Sequence, residues 1–113
     1  MIGNRIFQRS IKGEVSTNGN RSLIKNWRET MENEFSVAPQ LFSNKVSVEI
    51  EFWLDEKRMI HGRNDLDNLV KPVFDSMKRI NLIEDDANIF HLVLSKYPTT
   101  GSESVEISVC EWR

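Results

Sequence analysis

KVSVEIEFWL, residues 45–54, alternates without a break: Val46, Val48, Ile50, Phe52 and Leu54 face one way, and Ser47, Glu49, Glu51 and Trp53 the other. Branched and aromatic residues at period two mark a strand with one face in a core. Upstream, Leu23, Trp27 and Met31 recur every four residues and Phe35 completes the stripe. That spacing predicts a helix over 21–35, with Asn20 as its N-cap and its end before Pro39. Before it, residues 2–11 read as a first strand, broken by the glycine and asparagines of STNGN (16–20).

Downstream, DEKRMIHGRN (55–64) is a polar connection of the kind that carries function on a rigid frame. Leu66, Leu69, Val70, Val73, Phe74, Met77 and Ile80 then form one continuous apolar helix face. Pro72 is tolerated only near a helix start, which puts that start close to Asp67–Asn68. After NLIEDDAN (81–88), the stretches NIFHLVLSKYP (88–98) and ESVEISVCEW (103–112) read as strands. The short turn TTGS between them predicts a hairpin. The order β-α-β-α-β-β predicts an α+β domain, a four-stranded mixed sheet with two helices on one face. At 113 residues the chain has the size of one domain, 1–113.

Fifteen Lys+Arg against seventeen Asp+Glu give a formal net charge of −2, so charge alone announces neither nucleic acid nor membrane. The distribution says more. Residues 1–30 hold six basic and two acidic residues; residues 61–113 hold six basic and nine acidic. The single cysteine, Cys110, has no intrachain partner and suits a reducing compartment. The N-terminus lacks the apolar core of a signal peptide, and no stretch approaches the roughly 20 apolar residues of a membrane span. A cytoplasmic protein with no membrane partner is expected.

Asp67, Lys71 and Asp75 stand at i, i+4 and i+8 on one helix ridge, and Asp65 precedes the helix. Two readings compete. Asp and Asn are favoured helix caps, and acids in a first turn suit the helix dipole. Alternatively, if DLDN (65–68) meets Glu84-Asp85-Asp86, three or four carboxylates converge. They would repel one another unless a divalent cation sat among them, and all-oxygen ligation favours Mg²⁺ or Mn²⁺. Periodicity does not decide whether the two groups meet. An EF-hand loop is excluded, because Leu69, Val70 and Ser76 stand where it needs Asp/Asn, Gly and Glu. No P-loop, GxGxxG, HExxH or paired CxxC occurs. His61 and His91 have no nucleophile paired with them in sequence.

DLDNLVKPVFDSMKRINLIEDD (65–86) resembles the signature of the RusA-like endodeoxyribonucleases, the Holliday junction resolvases common in bacterial prophages. Their pattern of Asp-x-Asp-Asn, a lysine, an aspartate four residues on and a later Asp-Asp pair is matched by Asp65, Asp67, Asn68, Lys71, Asp75, Asp85 and Asp86. Arg63 fits a basic residue before the motif. The resemblance implies a homodimer that requires Mg²⁺, with Mn²⁺ as a substitute. It would nick symmetric strands of a four-way DNA junction in recombination and repair. It further implies Asp65, Asp67 and Asp86 as metal-binding catalytic acids, Asp85 as a further ligand, and Lys71 as the catalytic or phosphate-positioning cation. A slightly acidic chain would then need a cationic rim around the acids, from Arg9, Lys12, Lys57, Arg58, Arg63, Lys78 and Arg79. The competing expectations are a nuclease of the same chemistry for other branched DNA, and a non-catalytic dimeric DNA- or protein-binding module. Lys71 and Asp85-Asp86 separate these, since capping accounts for neither.

Overall fold

The computed structural model describes residues 1–17, 21–35, 44–60 and 64–113. The strands are β1 (Ile2–Lys12), β2 (Val46–Asp55), β3 (Ile89–Thr99) and β4 (Ser104–Trp112); the helices are α1 (Arg21–Phe35) and α2 (Leu66–Arg79). Short 3₁₀ turns follow β2 (Glu56–Arg58) and precede β3 (Asp86–Asn88). The architecture is the expected α+β arrangement in the expected order. The proposed Asn20 cap and Pro39 stop, along with His61 and Arg63, lie outside the described residues.

The sheet runs β1-β4-β2-β3. β2 pairs in parallel with β3 (Ile50 opposite Leu94) and antiparallel with β4 (Ile50 opposite Ile107), and β1 pairs antiparallel with β4. The expected hairpin between the last two strands is therefore absent. Residues 100–103 instead carry the chain across the end of β2, so that β3 and β4 flank that strand on opposite sides. A helix between two strands favours a parallel pair, because the crossover returns the chain to the edge where it started. That requirement overrides the short turn. Glu103 secures the crossing: its carboxylate accepts the Asp55 backbone N–H at 2.7 Å and pairs with the Arg58 guanidinium, which also donates to the Val15 carbonyl at 2.6 Å.

The alternation in β2 becomes the core. Val46, Val48, Ile50, Phe52 and Leu54 are fully buried, with Val105, Ile107 and Val109 of β4 beside them. Trp27, Met31 and Phe35 of α1, and Leu69, Val73 and Met77 of α2, close over that face. The opposite face carries no helix among the described residues and is polar. There Trp53 stacks on Tyr97 with ring centroids 4.7 Å apart, and His91 on Trp112 at 4.8 Å.

Glu51 and Glu106 stand opposite one another on this open face, with Glu49 on the same strand as Glu51. Partial burial, then a hydrogen bond and charge repulsion from Glu106, and repulsion from Glu49, raise the Glu51 carboxyl above its usual 4.5. A carboxyl raised by folding favours the protonated state. Its contribution is therefore most favourable at low pH and is lost as pH climbs through the range above 4.5. Glu51→Gln is expected to raise the melting temperature at pH 7 by a few degrees, relieving like charges set across a strand pair. It should also flatten the fall in stability between pH 4.5 and 7. Thermal melts of both proteins across that range would show it.

α2 begins one residue before the expected start, at Leu66, and Pro72 lies well inside it, buried. The proline leaves the Asn68 carbonyl without its usual N–H partner one turn on, while its ring fills core volume. At the far end, Asn81 takes a left-handed conformation (φ 61°) that Asn tolerates, and Leu82 N–H bonds the Met77 carbonyl at 2.9 Å. This closure buries Leu82 and Ile83 and fixes where the second acidic group emerges.

Candidate functional site

Asp65 is the N-cap residue of α2 by backbone geometry, yet its side chain makes no capping hydrogen bond. Its carbonyl instead receives the N–H groups of Asn68 (3.1 Å) and Leu69 (3.0 Å), and its carboxylate accepts the Asn68 side-chain amide at 2.6 Å. The Asn68 amide oxygen in turn faces Lys71 Nζ at 3.4 Å. Asp65, Asp67 and Lys71 are all exposed. Among the described residues, nothing bonds to the Asp67 carboxylate. Two anions and a cation thus crowd the first turns of α2, and no orphan helix N–H claims either side chain. The capping reading of DLDN explains the backbone but not the carboxylates.

The second acidic group is elsewhere. Asp85 caps the 3₁₀ turn before β3: its carboxylate accepts the Asp86 N–H at 2.7 Å, and its own N–H donates to the Asn88 side chain at 2.9 Å. Asp86 pairs with Lys78 at 3.3 Å, in the last turn of α2. Lys78 also reaches Asp75 at 3.9 Å, and Asp75 meets Arg28 of α1 at 3.3 Å. Asp75 is thus an ion-pair partner of α1 and of Lys78. Lys71, one turn before Asp75 on the same ridge, faces the Asn68 amide oxygen instead.

Topology explains the separation. α2 runs back along the parallel β2–β3 pair, so its start lies near the strands' C-terminal ends and its finish near their beginnings. Lys96, opposite Phe52 in register, donates to the Asn64 carbonyl at 3.0 Å, while Ile89 stands opposite Val46. From Asp67 to Asp75 alone the helix rises about 12 Å, more than one ion or a pair of bridged ions spans at coordination distances of about 2.1 Å. Among the described residues, no group of three or more His, Cys, Asp or Glu side chains is close enough to hold a metal ion. Among the described residues, then, one copy of the chain brings no three of these carboxylates to a single point. Asp65 and Asp67 come together, Asp85 and Asp86 come together, and the two pairs do not meet.

Of the candidate DNA-contacting cations, Lys12, Lys57 and Arg58 line a single cleft of about 710 Å³ beside Gly101, Ser102 and Glu103. This cleft is at the same end of the sheet as Asn64, which donates from its side chain to the Arg58 carbonyl at 2.9 Å. The cleft and the start of α2 therefore share an end of the molecule. Arg58 is held by Glu103 and the Val15 carbonyl, so its role is first to brace the crossing. Arg9 lies over the Phe7 ring, 4.7 Å from its centroid. Glu103 escaped the sequence reading entirely, because a lone glutamate beside a turn carries no signal until the strand order is known.

No helix among the described residues is long and apolar enough to cross a membrane. No curated protein matches the chain. The family model of endodeoxyribonuclease RusA matches residues 4–110, which takes in both described helices and all or most of each described strand. A match of that extent, over a sheet and helices in this order, settles the assignment: the chain belongs to the RusA endodeoxyribonuclease family.

Proposed function

We propose that the protein is a Mg²⁺-dependent, structure-selective endonuclease that acts as a homodimer on four-way DNA junctions in recombination and repair. The observation that carries this reading is the start of α2. Within a family of endodeoxyribonucleases, two neighbouring carboxylates escape any capping duty and a lysine stands one turn along.

Lys71 is an exposed cation at the same end as the Lys12–Lys57 cleft, suited to receive a phosphate as charge builds on it. Asp65 and Asp67 place negative charge where a hydrated divalent cation would be drawn in. The cleft cations would contact flanking phosphates and give affinity without reading sequence.

Incubating the protein with a synthetic four-way junction and with linear duplex, in Mg²⁺ and in EDTA, tests the reading. Nicks in the junction at symmetric positions, in Mg²⁺ only, are expected. Equal cleavage of both substrates, or cleavage that persists in EDTA, would reject it. Lys71→Ala is expected to slow junction cleavage by about 10²-fold, with Lys71→Arg recovering part of the loss. Single-turnover rates on the same junction check this.

A further inference from the structure

We propose that Asn68 is a positioning residue: its side-chain amide holds the Asp65 carboxylate and the Lys71 ammonium in one fixed relation, so that both meet the same phosphate. The inference rests on the nuclease reading for what the two charges do; their coupling through the amide stands on geometry alone.

The chain carries its own comparison. Asp-x-x-Asn occurs twice, at 65–68 and at 85–88. Each time the aspartate is the N-cap and the asparagine the third residue of the turn that follows. Before β3 the pair forms a complete capping box. There the Asp85 carboxylate accepts a backbone N–H of the turn, and the Asn88 side-chain oxygen accepts the Asp85 N–H at 2.9 Å. At the start of α2 the same two residue types do something else. The Asp65 side chain makes no capping bond, and Asn68 donates its amide to the Asp65 carboxylate at 2.6 Å. Its oxygen faces Lys71 Nζ at 3.4 Å. The amide therefore serves two charged side chains and no helix terminus.

The chemistry of the bridge calls for an amide. A carboxylate only accepts hydrogen bonds and an ammonium only donates them, so a group set between them must donate one way and accept the other. Asparagine does both and adds no charge. These demands also fix which way the amide points, with Nδ2 to Asp65 and Oδ1 to Lys71. The three-residue steps from 65 to 68 to 71 set the side chains on successive turns of one ridge. An aspartate at 68 would repel Asp65, and a lysine there would quench it. Asp65 and Lys71 are both exposed, and Lys71 sits on a flexible four-carbon stem. Without the bridge each would sample many positions, and a displacement of about 1 Å can slow a reaction about 10²-fold.

Two substitutions separate positioning from helix support. Asn68→Asp keeps the side chain's shape and puts an acid in the first turn of α2, where the helix dipole favours one. Mere helix support therefore predicts an unchanged melting temperature and unchanged cleavage. Positioning predicts a melting temperature within a few degrees of wild type but single-turnover cleavage of the junction, at saturating protein, slower by about 10²-fold. Asn68→Gln keeps donor and acceptor and should recover about tenfold of that loss. Cleavage by Asn68→Asp within about threefold of wild type, or Asn68→Gln no faster than Asn68→Asp, overturns the proposal. A second readout needs neither DNA nor metal. In ¹⁵N NMR of the free protein, the Asn68 side-chain amide signals should move in Asp65→Ala and also in Lys71→Ala. Signals that move in only one variant, or in neither, overturn the coupling. If the wild type leaves the junction uncut, the nuclease reading fails, while the NMR result still decides whether Asn68 joins the two charges.

Discussion

Asp67→Asn is expected to slow cleavage of a four-way junction by about 10³-fold or more, while binding to the same junction at low salt stays within about threefold. The substitution keeps the shape of the side chain and removes its charge. Since nothing among the described residues bonds to the Asp67 carboxylate, no structural partner is orphaned, and the melting temperature should hold. Asp65→Asn is a less clean probe, because the Asp65 carboxylate also accepts the Asn68 amide at 2.6 Å. Single-turnover nicking alongside a gel-shift titration measures both quantities for Asp67. A variant that still cuts within tenfold of wild type would remove Asp67 from the chemistry.

Phe52→Ala should cost about 3–5 kcal/mol of folding stability. Phe52 is fully buried at the centre of the sheet, between Val105 of β4 and Lys96 of β3, with strands on both sides that restrict collapse of the resulting cavity. Domains of this size hold about 5–15 kcal/mol in total, so the variant would be marginal, melting roughly 15 °C or more below wild type. Urea unfolding followed by tryptophan fluorescence and circular dichroism gives the value. A loss under about 1 kcal/mol would mean the core is far looser than its burial implies.

The sequence was most informative where side-chain period alone carries the message. The β2 alternation foretold which residues are buried almost one for one, with Ser47 as the exception, buried beside the His91 ring at 2.8 Å. The α2 face likewise emerged as read, and so did Trp27, Met31 and Phe35 of the α1 stripe, whereas Leu23 at its start is exposed and Ile24 is buried instead. Which strands lie side by side was not legible, because period says which way a side chain faces and nothing about its neighbour. The TTGS turn looked like a hairpin for that reason, although the intervening α2 already argued for a parallel β2–β3 pair.

The site divides along the same line. Asp65, Asp67 and Lys71 are close in sequence on one helix, so spacing sufficed to group them. Asp85 and Asp86 depend on the direction in which α2 runs over the sheet, which only the fold supplies. Spacing also failed to show that Asp85 is engaged by its own turn, or that Lys78 would be the residue facing Asp86.

The last strand in the chain sits second in the sheet, bonded to β1 on one side and β2 on the other. Until β4 is in place, β1 touches no other strand, and Ile2 must wait for Trp112. During synthesis the nascent chain can therefore build the β2–α2–β3 unit early, but the described sheet closes only once β4 has emerged from the ribosome. Pairing between strands so distant along the chain makes that closure slow.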